Sequence, residues 1–251
     1  MPTFVHGKGT GIFLNQYNLS EYFNSIDTAQ SVDVSESTGF GSTAKAYVVG
    51  LADGTLSMNG MWAADAGGSD AVLSSILGSS TTPIITVVFG TGTIGNSAIV
   101  AKASETNYSI STPVGDIVSV TADFQASTDA TTNLKYGIRN GKILTTGNSI
   151  AFGSLGNLAS VDNSASSANG GAGNLHVTAN SITGGTTTIK IQHSTDNTTW
   201  ADLITFTAVA ASTATSQQSV VSGTVNRYLR ATASTAGSAG AITFNVSFTR
   251  F

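Results

Sequence analysis

The chain has no cysteine, and only 10% of its 251 residues are charged. Without thiols, neither a disulfide framework nor a thiolate metal site is open to it, so packing alone must hold the fold. Long apolar runs are missing too. The most apolar stretch, residues 84–89, is far short of the ~20 residues that span a bilayer. Residues 1–20 lack the apolar core of a cleavable signal, which points to a soluble product made in a cytoplasm. Aromatic side chains make up 8%, with Trp62 and Trp200 the sole tryptophans, so there is little to stack sugars on. No basic stripe interrupts a chain of net charge −4, which opposes tight binding to nucleic acid. No G-x-S-x-G elbow occurs, and no repeat recurs at a fixed period, so neither a hydrolase of that type nor a solenoid is indicated.

What is present is hydroxyl and glycine: 33 serines, 36 threonines and 28 glycines. Disorder of a polar chain wants high net charge and few β-branched residues. Here Val, Ile, Thr, Phe and Tyr alternate repeatedly, and the expectation is a folded all-β protein. A surface so poor in charge also suits a chain packed against copies of itself, because charge is depleted at interface cores.

Strands are expected near 30–36, 45–51, 55–62, 83–89, 97–103, 105–111 and 116–126. The last is the clearest, with Val118, Val120, Ala122 and Phe124 on one face. Asp53-Gly54 reads as the turn of a hairpin between two of them. One helix interrupts, at about 70–77: Ser69 is its expected N-cap, Val72/Ile76 and Leu73/Leu77 pair at i,i+4, and Gly78 sits at C′. Later strands are expected at 174–179, 186–193, 200–208, 217–222, 227–233 and 241–249. Residues 1–150 carry 6 basic and 11 acidic side chains, whereas residues 151–251 carry 4 and 3. The small-residue segment 153–173 lies between them, so a boundary is placed near 150.

Several motifs invite chemistry. Gly90-Thr91-Gly92-Thr93-Ile94-Gly95 fits a dinucleotide fingerprint, but no helix pattern follows and no acid stands about 20 residues on. A turn is expected, and no cofactor. His176 and His193 fall on neighbouring predicted strands, yet no third ligand is placed to complete a metal site. Ser194-Thr195-Asp196-Asn197-Thr198-Thr199-Trp200 is similar to an Asp-box turn lacking its glycine, a fold-building device. Arg227 and Arg230 flank Tyr228 and are expected to pair with acids or interface carbonyls.

A run of short motifs carries a family resemblance over roughly residues 17–126. They are Leu19-Ser20-x-Tyr22, Glu36-Ser37-Thr38-Gly39-Phe40-Gly41, Lys45-x-Tyr47-x-x-Gly50-Leu51-x-Asp53-Gly54 and Ser57-Met58-x-Gly60. Two more follow, Ser111-Thr112-Pro113-Val114-Gly115-Asp116 and Ala122-Asp123-Phe124-Gln125-Ala126. In order and number these resemble the major tail tube protein of long-tailed (siphovirus-type) bacteriophages. Gln192-His193-Ser194-x-Asp196, Phe206-Thr207 and Asn226-Arg227-Tyr228-Leu229-Arg230 are similar to C-terminal domains of some actinobacteriophage tail proteins.

The resemblance implies a tail-tube β-sandwich or barrel with one short flanking helix in residues 1–150, including an N-terminal arm (1–16). A C-terminal β-sandwich in 151–251 would then project as decoration. It implies a structural virion protein rather than an enzyme, assembled in the host cytoplasm and resident in the virion tail. Hexameric rings would stack into a tube, with tape measure and tail terminator or tip proteins as further partners. DNA would pass an acidic lumen without specific binding, and no membrane would be involved. Asp27, Asp33, Glu36, Asp116 and Asp123 are the expected lumen-facing residues. The 36–45 loop, with Glu36, Phe40, Gly41 and Lys45, and the arm (2–16) are expected to join ring to ring. The alternatives are a carbohydrate-binding or host-attachment β-sandwich and a capsid decoration protein.

Overall fold

The computed structural model describes residues 6–126 and 137–251. Its early elements are β1 (Gly11–Leu14), β2 (Tyr17–Asn18), β3 (Phe23–Glu36), β4 (Tyr47–Met61), α1 (Ser69–Ile76), β5 (Ile84–Val88), β6 (Ser97–Ser111) and β7 (Ser119–Ala126). Next come β8 (Arg139–Ile143), β9 (Ser149–Ala151), β10 (Val161–Asp162), β11 (Gly171–Asn180) and β12 (Thr186–Ser194). The last five are β13 (Ala201–Thr205), β14 (Val209–Ala210), β15 (Thr215–Val221), β16 (Tyr228–Thr235) and β17 (Ala241–Arg250). The protein is all-β with one α-helix among the described residues.

The chain divides into two compact units, and the division is not a single cut near residue 150. One unit gathers residues 1–21, 84–100 and 139–251; the other gathers 22–83 and 101–138. The reason is strand pairing. β5 pairs with β1, residues 97–100 of β6 pair with β8, and β8 pairs with β17. Early segments are thereby stitched to the last strand of the chain. Part of the expected N-terminal arm is stitched in as well: Ile12, Phe13 and Leu14 of β1 are buried, and residues 1–5 lie outside the described residues.

The first unit contains a sandwich. The sheet β10–β16–β12–β13, with β14 beside β12, faces a sheet in which β11 lies between β15 and β17. Leu175 and Val177 of β11 and Phe244, Val246 and Phe248 of β17 meet Ile189, Ile191, Leu229 and Ala231 across the core. The opposite faces of β11 and β17 are buried and polar: Asn174, His176, Asn245 and Ser247. His176 Nδ1 stands 2.6 Å from the Asn15 carbonyl, which can only accept, so Nδ1 carries the proton. Nε2 must then accept from Thr86 Oγ1, at 2.8 Å, leaving that oxygen to accept from Ser247 Oγ, at 3.0 Å. Burial pulls the imidazole down to about 4, so it is neutral in the fold.

The second unit is a four-stranded antiparallel sheet in the order β3–β4–β7–β6, with α1 against it. Leu56 and Met58 of β4 and Val120, Ala122 and Phe124 of β7 are buried on one face. Val72 and Leu73 of α1 are buried too, and the Tyr108 hydroxyl of β6 donates to Asp70 on the helix. Ser69 is the first helical residue rather than the N-cap, a place taken by Gly68. Its hydroxyl instead donates to Met61 O and accepts the Ala63 N–H. Gly78 has φ +69 and ends the helix as expected.

The expected Asp53-Gly54 hairpin is absent. Residues 47–61 form one unbroken strand, and the reversal comes at residues 37–46. A type I′ turn needs positive φ at both central residues, and Gly54 has none. Its lack of a side chain serves another end: a Cβ there would stand 3.3 Å from Cβ of Ile138. Asp53 uses its carboxylate along the strand, accepting from the Gly54 N–H and from the Gln125 amide. The strands expected at 97–103 and 105–111 are likewise one, β6, with a register shift between Glu105 and Asn107.

Candidate self-assembly surface: an open ribbon with a carboxylate face

β3 is 14 residues long and pairs, among the described residues, with β4 alone. Among the described residues β4 in turn pairs with β7 from Thr55 onward only. Residues 23–30 of β3 therefore border the sheet, while residues 31–36 with 47–53 form a two-stranded ribbon beyond it. A two-stranded ribbon is at best marginally stable alone in water, and its unpaired N–H and C=O groups are a template for another strand. Here both conditions hold over the same residues.

The ribbon's two faces differ. Alternation carries Ile26, Thr28, Gln30, Val32 and Val34 along the face of Leu56 and Met58. Beyond the sheet that face is bare: Val32 is 51% exposed, Val34 61%, Tyr47 54% and Val49 71%. Between them the strands change register, with Asp33 opposite both Gly50 and Leu51. A Cβ at Gly50 would stand 3.2 Å from Cβ and O of Asp33, so glycine spares the bulge a tight contact there. Leu51, next to it, is 71% exposed. An apolar face of this length without cover is the signature of a contact surface.

The other face is polar and acidic. Asp27 lies opposite Ser57, and Ser57 lies opposite Asp123, so these share one face of adjacent strands. Asp33 and Asp53 extend the row along the ribbon. On β3, β4 and β7 the same face otherwise shows Ala29, Ser31, Ser35, Val48, Thr55, Asn59, Thr121 and Gln125, and no Lys or Arg; on β6 Lys102 lies on it, two residues from Ser104, which stands opposite Gln125. Asp123 accepts from Ser57 Oγ at 2.5 Å and from Asn107 Nδ2 at 2.8 Å, and the Ser57 bond foremost holds it below the usual carboxylate range. The whole unit carries this bias: residues 22–83 and 101–138 have ten acidic and three basic side chains, against four and seven elsewhere.

Of the five expected lumen residues, the sheet brings together three, Asp27, Asp33 and Asp123. Glu36 falls on the opposite face by alternation and pairs with Lys45 at 3.0 Å. Asp116 sits in the loop between β6 and β7, its carboxylate turned onto the Ile117 N–H at 2.7 Å. Asp53 was hidden by its reading as a turn residue. The signal that could have revealed it is the alternation running unbroken through Gly54, Leu56 and Met58. In the 37–46 loop, Ser37 N–H bonds to Ala46 O and Thr38 Oγ1 accepts the Ala46 N–H, a clip that leaves Phe40 wholly exposed at the tip. Gly41, at φ +92, makes the reversal there.

Glu105 escaped the sequence reading altogether. It is 5% exposed on the buried face of β6, both carboxylate oxygens lack a partner, and burial raises its pKa to about 8. Its only sign in the sequence is an acid on the alternation that carries Ala101 and Ala103.

The other motifs settle as local structure. Gly90, Gly92 and Gly95 all have positive φ in a turn that leads into β6, not into a helix. His176 and His193 lie on different sheets, and no group of three metal-binding side chains occurs among the described residues. Asp196 accepts the Thr198 and Thr199 N–H groups at 2.9 and 2.8 Å, which hold it far below the usual range. Arg227 pairs with Asp162, and Arg230 stacks over Trp200 at 4.2 Å.

No family model and no curated protein matches the chain. Among solved structures, the virion of a native gene transfer agent particle is similar at 13% identity and TM-score 0.42, over 53% of this chain and 98% of that one. A sheath/tube terminator of an extracellular contractile injection system (PVC) gives 15% and 0.41, over 51% and 93%. The SPP1 Dit protein, described as a hub adsorption apparatus paradigm in phages infecting Gram-positive hosts, gives 12% and 0.37, over 96% and 99%. These are distant likenesses, and none assigns a role to a residue here.

Proposed function

We propose that the chain is a structural protein of a bacteriophage tail tube, assembling through the β3 edge and the ribbon. The carrying observation is the coincidence on β3 and β4 of an unpaired edge, a bare apolar face and an acidic one. A neighbouring copy that adds a strand to β3 would satisfy the open backbone groups and cover Val32, Val34 and Val49 in one step. Repeated around an axis, such a contact closes a ring, and ring-on-ring contacts through the 36–45 loop would build a tube. Six copies per ring is the number the sequence resemblance implies.

In such a ring the face of Asp27, Asp33, Asp53 and Asp123 is the one suited to a channel. On β3, β4 and β7 it is acidic and carries no Lys or Arg, so it would repel phosphates and let DNA slide without holding it. Tape measure and tail terminator proteins would meet the same assembly, with the virion tail as its location and no catalytic role.

Electron microscopy of the purified protein at rising concentration tests the assembly: annular or tubular particles are expected. Monomers at every concentration would end this reading, and glycan binding by those monomers would favour the attachment module instead. The channel role has its own test. Asp27→Lys with Asp33→Lys should leave tubes intact and slow DNA ejection; ejection at the normal rate would remove the lumen assignment.

A further inference from the structure

A second site lies at one mouth of the sandwich, and no motif pointed to it. Phe248 is the last core residue of β17, opposite Lys142 of β8. Two residues further on the same face stand Arg250 and, on β8, Asn140. With Gly141 and Asn163 they line a cavity of about 220 Å³, room for a small oxoanion and a few waters.

The cavity is electrostatically unbalanced. Arg250 gives four of its five N–H groups to neutral acceptors: Ser167 Oγ and Val225 O from Nη1, Asn226 O and Arg227 O from Nη2. These contacts fix the guanidinium in place without a counter-charge. Its Nε–H is buried and has no acceptor at all. Desolvation lowers the Arg250 pKa, and the cation in turn adds to burial in pulling down nearby His193. Lys142 Nζ reaches only the main-chain oxygen of Asp162, at 3.3 Å. Among the described residues no lining residue carries a carboxylate, and that of neighbouring Asp162 is engaged elsewhere. It is spent on Arg227 through two bonds of 2.7 and 2.6 Å. The lining thus holds two cations, Lys142 and Arg250, and no carboxylate, an arrangement that suits an anionic ligand.

We propose that this pocket binds a phosphate group, free or in a phosphodiester chain, with Lys142 and the fixed Arg250 guanidinium supplying the charge and Asn140 a further donor. A tetrahedral anion matches several donors arranged around one cavity. The site goes beyond the assembly reading and stands even if tubes never form.

The test uses the full chain, with inorganic phosphate and dimethyl phosphate as probes and chloride at matched ionic strength as the blank. The arginine Nε–H resonances are followed by NMR. A saturable shift of the Arg250 signal is expected with phosphate and not with chloride. Lys142→Gln should weaken that response by about five- to tenfold, while Lys190→Gln, a paired lysine elsewhere on the sandwich, should leave it unchanged. Binding of dimethyl phosphate as well would mark a phosphodiester polymer as the source; binding of inorganic phosphate alone would mark a free or terminal group. No shift with either probe, an equal response to chloride, or equal losses in the two lysine variants would overturn the site. Because Lys142 is outside the core, its variant should fold, and Arg250→Lys provides a second, charge-conserving check.

Discussion

In β17, Ile242, Phe244, Val246 and Phe248 alternate with polar residues, and all four are buried. In β3 of the ribbon, Val32 and Val34 alternate with Ser31, Asp33 and Ser35 in the same manner, and both are more than half exposed. Local pattern is identical in kind; the surroundings are not. β17 has β11 on one side, β8 and β9 on the other, and a second sheet across the core. Among the described residues the ribbon's two strands pair only with each other. Alternation therefore tells that a strand has two unlike faces, and says nothing about which molecule covers the apolar one.

The two units also bury opposite kinds of titratable group. His176 is neutral within a complete hydrogen-bond network, whereas Glu105 is neutral because nothing offers it a partner. The first unit is thus expected to weaken in acid and the second in base.

The comparison can be broken at several points. The largest effect is expected from the ribbon: Val34→Asp with Val49→Asp should abolish rings and tubes in electron micrographs, while the circular dichroism melt stays unchanged. Persisting tubes would mean that the apolar face is not the contact. Next comes Glu105. Its folded pKa of about 8 exceeds its ordinary 4.5, so the folded state holds a proton the unfolded state releases. Stability should be full below pH 4.5 and fall as pH rises toward 8. Glu105→Gln should abolish that slope and be more stable than the parent at pH 8, by roughly 3 kcal/mol, in denaturant titrations. A parallel pH dependence in parent and variant would show the carboxyl to be solvated.

His176 should act with the opposite sign. Its pKa of about 4 lies below the ordinary 6.5, so the unfolded chain takes up the proton first. The contribution is whole above pH 6.5 and lost between 6.5 and 4, by up to about 3 kcal/mol. An NMR titration in which the His176 ring protonates near 6.5 in the native protein would contradict the buried network. The smallest effect is expected at Gly54. Gly54→Ala must displace Ile138 and should cost about 1 kcal/mol, and Gly54→Asn more. Were the residue in a left-handed turn, Asn would instead be the milder change.

Much of this molecule is legible in the chain. Helix α1 and the strand near 119–126 follow from periodicity, because one apolar side of each is buried; the strand near 84–88 follows from a continuous apolar run buried on both sides, and the one near 241–250 from apolar residues alternating with polar ones. Asp53-Gly54 misleads for a definite reason. Its composition fits a turn, but pairing with β3 on one side and the cross-strand Gln125 bond hold it extended. Tertiary contacts outweigh a local preference worth little more than a kilocalorie. Glu105 and the Lys142–Arg250 pocket were invisible because each depends on residues distant in sequence.

By itself the sequence determined the class: β-branched alternation without cysteine or long apolar runs leaves an all-β chain held by packing. It also determined the acidic bias of the first half. Only the tertiary structure decided which carboxylates share a face, that residues 84–100 join the C-terminal strands, and that the ribbon stands uncovered. Strand pairing is chosen by partners far apart along the chain, and side-chain direction flips with each single-residue shift of register.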